Sequence, residues 1–165
     1  MNTQNPWRKS FVVLSITALI LGVGTYQVKG AKVFQNQQTE TISQTTTVKD
    51  GVFIHVSHGT DNPQRLLMAL TMADKMSEDK DVLIYFDIKG VEAVVNNSQD
   101  ITFSDFPSSK TLLKKLADKG VKLQVCPTCL KAAGKTPADL MSGATIANKA
   151  NFFNFTQGRI ITLDY

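Results

Sequence analysis

The run Asp81-Val-Leu-Ile-Tyr-Phe86 constrains this chain more than any other segment. Its residues Val82 to Phe86 are apolar on both alternating faces. A strand of that kind needs cover above and below, the condition of strands in a mostly parallel sheet flanked by helices. The surroundings repeat the demand. Val52 to Val56, within GVFIHV, reads as a short buried strand, VKLQV before Cys126 as a third, and RIITLDY as a last one. Strand alternating with helix predicts an α/β domain with a mostly parallel sheet.

The intervening helices carry their own signals. In TDNPQRLLMALTMADKMSED, Asn62 is a cap and Pro63 suits the first turn. Leu66, Leu67, Leu70, Ala73 and Met76 then recur at helical spacing. The methionines read as core residues rather than a soft-metal site. GVEAVVNN predicts a helical turn, and NSQDITFSDFPSS a loop. SSKTLLKKLADKG predicts an amphipathic helix with Leu112, Leu113 and Leu116 inward. Its lysines Lys114, Lys115 and Lys119 form a solvated face, and Gly120 ends it. TPADLMSGATIAN predicts one more helix, capped by Thr136 with Pro137 first. No long-period repeat appears.

The first 50 residues differ in kind. Ser10 to Val28 carries no charge and is preceded by Arg8 and Lys9. Residues 1–30 therefore read as a signal peptide or an N-terminal membrane anchor in the form of a hydrophobic helix. The positive flank predicts the remainder exported, to a periplasmic or other extracytoplasmic location, tethered to the inner membrane if the helix stays. Residues 31–50, rich in Gln and Thr, read as a flexible linker, because they cannot bury enough surface to offset their ordering entropy. Residues 51–165 form the domain. The chain's net charge is +4, yet 13 Lys and Arg face 12 Asp and Glu after residue 50. That balance leaves no basic footprint for nucleic acid.

The chemistry concentrates in VCPTCLKAAG. Cys126 and Cys129 are the only cysteines, two residues apart, after a strand and before a helical run. A helix start stabilises a thiolate, and this spacing permits a reversible disulfide or a persulfide with a resolving partner. Ligand sites in parallel sheets lie beyond the carboxyl ends of strands. The loop Ser57 to Asn62 after the first strand shares that end with the cysteines. His58 is its candidate proton acceptor, with Asp61 and Arg65 as candidate substrate-binding residues, Arg65 for an anionic sulfur species. The alternatives are a structural disulfide in a non-enzymatic binding module and a thiolate metal site. A zinc site joining the cysteines to His55 and His58 is disfavoured, because histidines three apart on a strand point to opposite faces. His55 reads as a core or helix-facing residue. No cofactor is called for.

Three blocks in order resemble the DsrE/DsrF-like family of small sulfur-relay proteins. They are the first strand with Asp61, Pro63 and Arg65, the second strand with Asp87, Gly90 and Val91, and KGVKLQVCPTCLKAAG. The resemblance implies a three-layer α/β/α domain with about five strands and homo-oligomers. It also implies a persulfide carried on a cysteine in the loop matching VCPTC, with Cys126 first and Cys129 second. The implied partners are small sulfur species or a thiol protein. The exported N-terminus departs from relay members that serve cytoplasmic partners.

Overall fold

All five strands run parallel, and the connections dictate the layers. The computed structural model describes residues 47–165. The strands are β1 (Gly51–Val56), β2 (Asp81–Phe86), β3 (Lys122–Val125), β4 (Ala144–Ile146) and β5 (Ile160–Asp164). They form one sheet in the order β4-β3-β2-β1-β5. Parallel neighbours need crossovers rather than hairpins. Three crossovers step from β1 toward β4, and the fourth returns from β4 to β5 at the far edge. Right-handed crossovers in opposite directions lie on opposite faces. Helices α1 (Pro63–Met76) and α2 (Ser109–Asp118) accordingly pack together on one face. The return segment, with α4 (Lys149–Phe153), crosses the other.

The two faces are unequal. On the α1/α2 side, Val52, Ile54, Val56, Val82, Ile84, Phe86, Leu123 and Val125 meet Leu66, Leu67, Leu70, Leu112, Leu113 and Leu116 in one buried core. The opposite face presents Phe53 and His55 beside Leu83 and Tyr85, in register. There the Phe152 ring caps the sheet, 5.0 Å from Phe53 and 4.9 Å from Tyr85 between centroids, and the Phe155 ring packs over Gly51. Leu83 is fully buried. The apolar character of both faces of β2 is thus met, one face by two helices and the other by a helix of five residues.

Local signals act where expected. Asn62 accepts the Arg65 N–H at 3.2 Å to start α1, with Pro63 in its first turn. Gly120 adopts φ +74° after α2, a conformation only glycine takes freely. Gly90–Val94 forms the expected short turn, as a 3-10 helix. The segment after Thr136 departs from expectation. Thr136 and Pro137 start only a three-residue 3-10 turn, Pro137–Asp139, and Ala144–Ile146 is the edge strand β4 rather than helix. Pairing with Leu123, Gln124 and Val125 decides this: the ladder of β3 needs a partner, and three residues are too short for any periodicity to announce one. The predicted N-terminal hydrophobic helix and residues 31–46 of the linker lie outside the described residues.

The lysines of α2 are also not simply a solvated face. Asp74 of α1 is buried, and Lys115 Nζ and Lys119 Nζ reach its carboxylate at 2.8 and 2.6 Å. Burial pushes the Asp74 carboxyl up, but the two ammonium groups outweigh it and hold it below the usual range. A lowered carboxyl contributes stability present above its unfolded value and lost as pH falls through the folded one. Asp74→Ala is expected to cost about 1–2 kcal/mol, discounted because Lys115 stays half exposed. Urea unfolding at pH 7 and at pH 3 checks it: the difference between variant and parent shrinks at the lower pH. An undiminished difference at pH 3 refutes the ion-pair account.

Candidate functional site

The thiol pair is positioned by the end of β3. One further ladder bond, from the Cys126 N–H to the Phe86 carbonyl at 2.9 Å, sets where the chain leaves the sheet. Pro127 then opens α3 (Pro127–Ala132), where its missing N–H leaves no helical acceptor unpaired. Cys126 is the N-cap of that helix, and its sulfur accepts the Cys129 N–H at 3.3 Å. The two-residue gap between the cysteines is therefore the spacing of a cap and the N–H it serves. Leu130, fully buried, anchors the helix to the core.

The two thiols differ in acidity. Burial opposes ionisation of Cys126, but hydrogen bonds from the Cys129 thiol, the Cys129 N–H, the Tyr85 hydroxyl and the Thr128 N–H outweigh it. Its thiol is held below the ordinary value. Cys129 moves the other way: its hydrogen bond to Cys126, together with burial, raises it. The unequal pair favours ionisation of Cys126 over Cys129.

Cys129 opens into a cavity of about 360 Å³, lined also by Ile88, Lys89, Glu92, Ala132 and Ala133. Another hollow of about 370 Å³ lies at the opposite, amino end of β1 and β5, among Val52, Met76, Ile160 and Ile161. It holds no cysteine, hydroxyl or histidine, and its Lys80 is paired with Asp79, so the thiol chemistry points to the cysteine cavity. The Ile88–Glu92 wall rests against the end of β1. A Cβ on Gly90 would stand 2.2 Å from the Val56 carbonyl oxygen, which explains the glycine after Asp87.

The loop after β1 shares this end of the sheet but not this cavity. Thr60 Oγ1 reaches Glu92 at 3.3 Å, but no residue of this loop lines the cavity. His58 Nδ1 lies 2.7 Å from Asp61 Oδ2, and Asp61 also accepts the Gly59 N–H at 2.8 Å. The Gly59 N–H first, then His58, hold the Asp61 carboxyl below its usual range. His58 and Asp61 thus serve each other. Arg65 is exposed on α1 and makes no ion pair among the described residues. The cation at the cysteine cavity is Lys89, paired with Glu92 at 3.0 Å. It sat unremarked inside the Asp87–Val91 turn. Among the described residues no three His, Cys, Asp or Glu side chains converge as metal ligands.

His55 shares the sheet face of Tyr85, whereas His58 pairs with Asp61 in the loop. His55 faces outward on β1 beside Tyr85, the two rings stacked 5.9 Å apart between centroids. Its Nδ1 meets Asp164 Oδ1 at 2.6 Å, and its Nε2 stands 2.9 Å from Asp87 Oδ1. The second contact is out of line for a hydrogen bond and acts as attraction between buried atoms. Burial opposes the charge on His55, but the two carboxylates outweigh it and raise the imidazole above its ordinary value. Reading His55 as a core residue missed this, because face parity is legible in a strand whereas what covers each face is not.

The fold and the pair define a class: a small parallel α/β protein with an acidified thiol at the carboxyl ends of its strands. The profile of the DsrE/DsrF-like family matches residues 50–161, more than half of the sequence, and the chain belongs to that family. The ychN protein from E. coli is similar in structure, at TM-score 0.50 and 16% identity over 70% of this chain and 99% of that one. MTH1491 from Methanobacterium thermoautotrophicum, a protein of unknown function, aligns at TM-score 0.49 and 19% identity over 68% and 98%. At such identities the likeness to ychN concerns the fold alone. No curated protein matches the chain.

Proposed function

We propose that this protein carries sulfur on Cys126, with Cys129 as the resolving thiol. The observation that supports this reading is the unequal pair, a Cys126 thiol held low beside a Cys129 thiol held high. Family membership supports sulfur as the group carried. The Cys126 thiolate attacks a sulfane sulfur of a polysulfide or of thiosulfate. A Cys126 S–S bond forms, the donor's S–S bond breaks, and the shortened polysulfide or sulfite leaves with the electron pair. An acceptor thiolate then takes the outer sulfur and frees Cys126. Without an acceptor, Cys129 attacks the inner sulfur and expels hydrosulfide, leaving a disulfide. Lys89 at the cavity suits an anionic donor, a role the sequence had suggested for Arg65.

The test is intact mass of the full chain after incubation with polysulfide. Expected is one added sulfur on the peptide holding Cys126 in Cys129→Ser, and in the parent chain a Cys126–Cys129 disulfide that follows the transient gain, both removed by reductant. Cysteines that never gain sulfur, and whose disulfide resists reduction in the folded protein, would establish the alternative, a binding module with a structural bridge.

The same reading places the domain outside the cytoplasm and acting as an oligomer of identical copies. Arg8 and Lys9 before the uncharged run Ser10 to Val28 support the location. A membrane-impermeant thiol label applied to intact cells with a permeable outer envelope should reach Cys126. Labelling only after lysis of the inner membrane would overturn the location.

A further inference from the structure

We infer that His55 and Tyr85 form a positioning device for the Cys126 sulfur, in which a histidine clamped between two carboxylates holds the tyrosine ring that meets the thiolate. This inference rests on the thiolate role of Cys126 proposed above. It does not depend on which group that thiolate carries.

Three strands contribute in register. On the face crossed by the return segment, His55 of β1 is paired with Asp164 of β5 on one side and with Tyr85 of β2 on the other. Tyr85 is in turn paired with Gln124 of β3, and Cys126 follows two residues on, on the same face. The line Asp164, His55, Tyr85, Cys126 therefore runs across the sheet at its carboxyl end. Asp87, just past β2, closes the clamp on the second imidazole nitrogen. A hydrogen bond to Asp164 at one ring nitrogen and the Asp87 carboxylate 2.9 Å from the other both favour the imidazolium. Its ring lies nearly parallel to Tyr85, at 28°, so a cation rests on a π face. Phe152 holds the Tyr85 ring from above, edge-on at 82°. Fixed from two directions, the Tyr85 ring keeps its hydroxyl at the thiol end of the sheet, where it favours the Cys126 anion.

Charge gives His55 a second effect in the same direction. Asp87 repels negative charge on the cysteines, as its action on Cys129 shows. The imidazolium neutralises that carboxylate. The groups facing the device are thus Asp87, Asp164, Tyr85, Cys126 and Cys129, and α4 adds only the apolar Phe152.

The test is the rate of Cys126 alkylation by iodoacetamide against pH, read by peptide mass on the full chain. Tyr85→Phe keeps the ring and removes the hydroxyl. It is expected to slow the reaction at pH 7 by about tenfold and to move the midpoint of the profile upward, the effect of losing one hydrogen bond to a charged group. His55→Asn should move the midpoint upward by a smaller amount, about threefold in rate. Asp164→Asn is the decisive variant, because Asp164 is largely exposed and its loss spares the core. Removing a negative charge alone would make the thiol more acidic. The clamp predicts the reverse, an upward midpoint. An unchanged profile in Tyr85→Phe overturns the device, and a downward or unchanged midpoint in Asp164→Asn overturns the clamp. Because alkylation needs no sulfur donor, these results stand apart from success or failure of sulfur loading.

Discussion

Cys126→Ser is expected to abolish sulfur loading, while Cys129→Ser still accepts one sulfur and fails to expel it as hydrosulfide, because no Cys126–Cys129 disulfide can form. The asymmetry follows from the cap. Cys126 receives the Cys129 N–H, the Tyr85 hydroxyl and the Thr128 N–H, and each favours the anion. Cys129 spends its proton on its neighbour and is raised. A serine hydroxyl at position 126 retains the capping bond but ionises far too weakly to attack a sulfane sulfur, so the helix survives and the chemistry does not. In the parent chain, loading should reach half its maximal rate at a pH below the ordinary thiol value of about 8.5. The measurement is intact mass after polysulfide across a pH series for the three proteins. Equal loading of Cys126→Ser and the parent would refute the leading role of Cys126.

The largest effect on stability is expected from Phe86→Ala. Phe86 is fully buried at the carboxyl end of β2, among the bulkiest residues of the core. Its carbonyl also accepts the Cys126 N–H. Truncation removes a large apolar side chain and leaves a void that closely packed neighbours fill poorly. The expected loss is about 3–5 kcal/mol. Against the roughly 5–15 kcal/mol of a typical domain, that is a large fraction of the total. Urea unfolding followed by circular dichroism checks it. A loss below about 1 kcal/mol would show that the core on the α1/α2 face can collapse around the site.

The two experiments probe the same corner of the molecule from opposite sides of the sheet. Phe86 and Tyr85 are consecutive residues on β2 and point to different faces. One builds the core under α1 and α2, and the other faces His55, Phe152 and the thiol. This division explains why a small domain can hold an acidified thiol at all. The well-covered face supplies the stability, and the thinly covered face is left for chemistry.

Much of this was legible before any coordinates. Asn62 and Pro63 announce α1, Gly120 ends α2, and the unbroken apolar run of β2 demands cover on both faces, because each is a local or period-two signal. The cysteine spacing marks the carboxyl end of β3 as the place where chemistry belongs, since a helix start follows directly. These features depend on residues close together in the chain, and sequence alone determines them. Other features depend on pairings of residues far apart in the chain, about 20 positions in one case and more than a hundred in another. His55 meets Asp164 only because the last strand returns to the edge beside β1. Ala144–Ile146 is a strand only because β3 has an open edge there. Which groups His55 meets was decided by the order of the strands, which sets Asp164 on one side of it and Tyr85 on the other. The tertiary structure settled that choice, because strand parity tells which residues share a face, but only the order of the strands tells what lies across it.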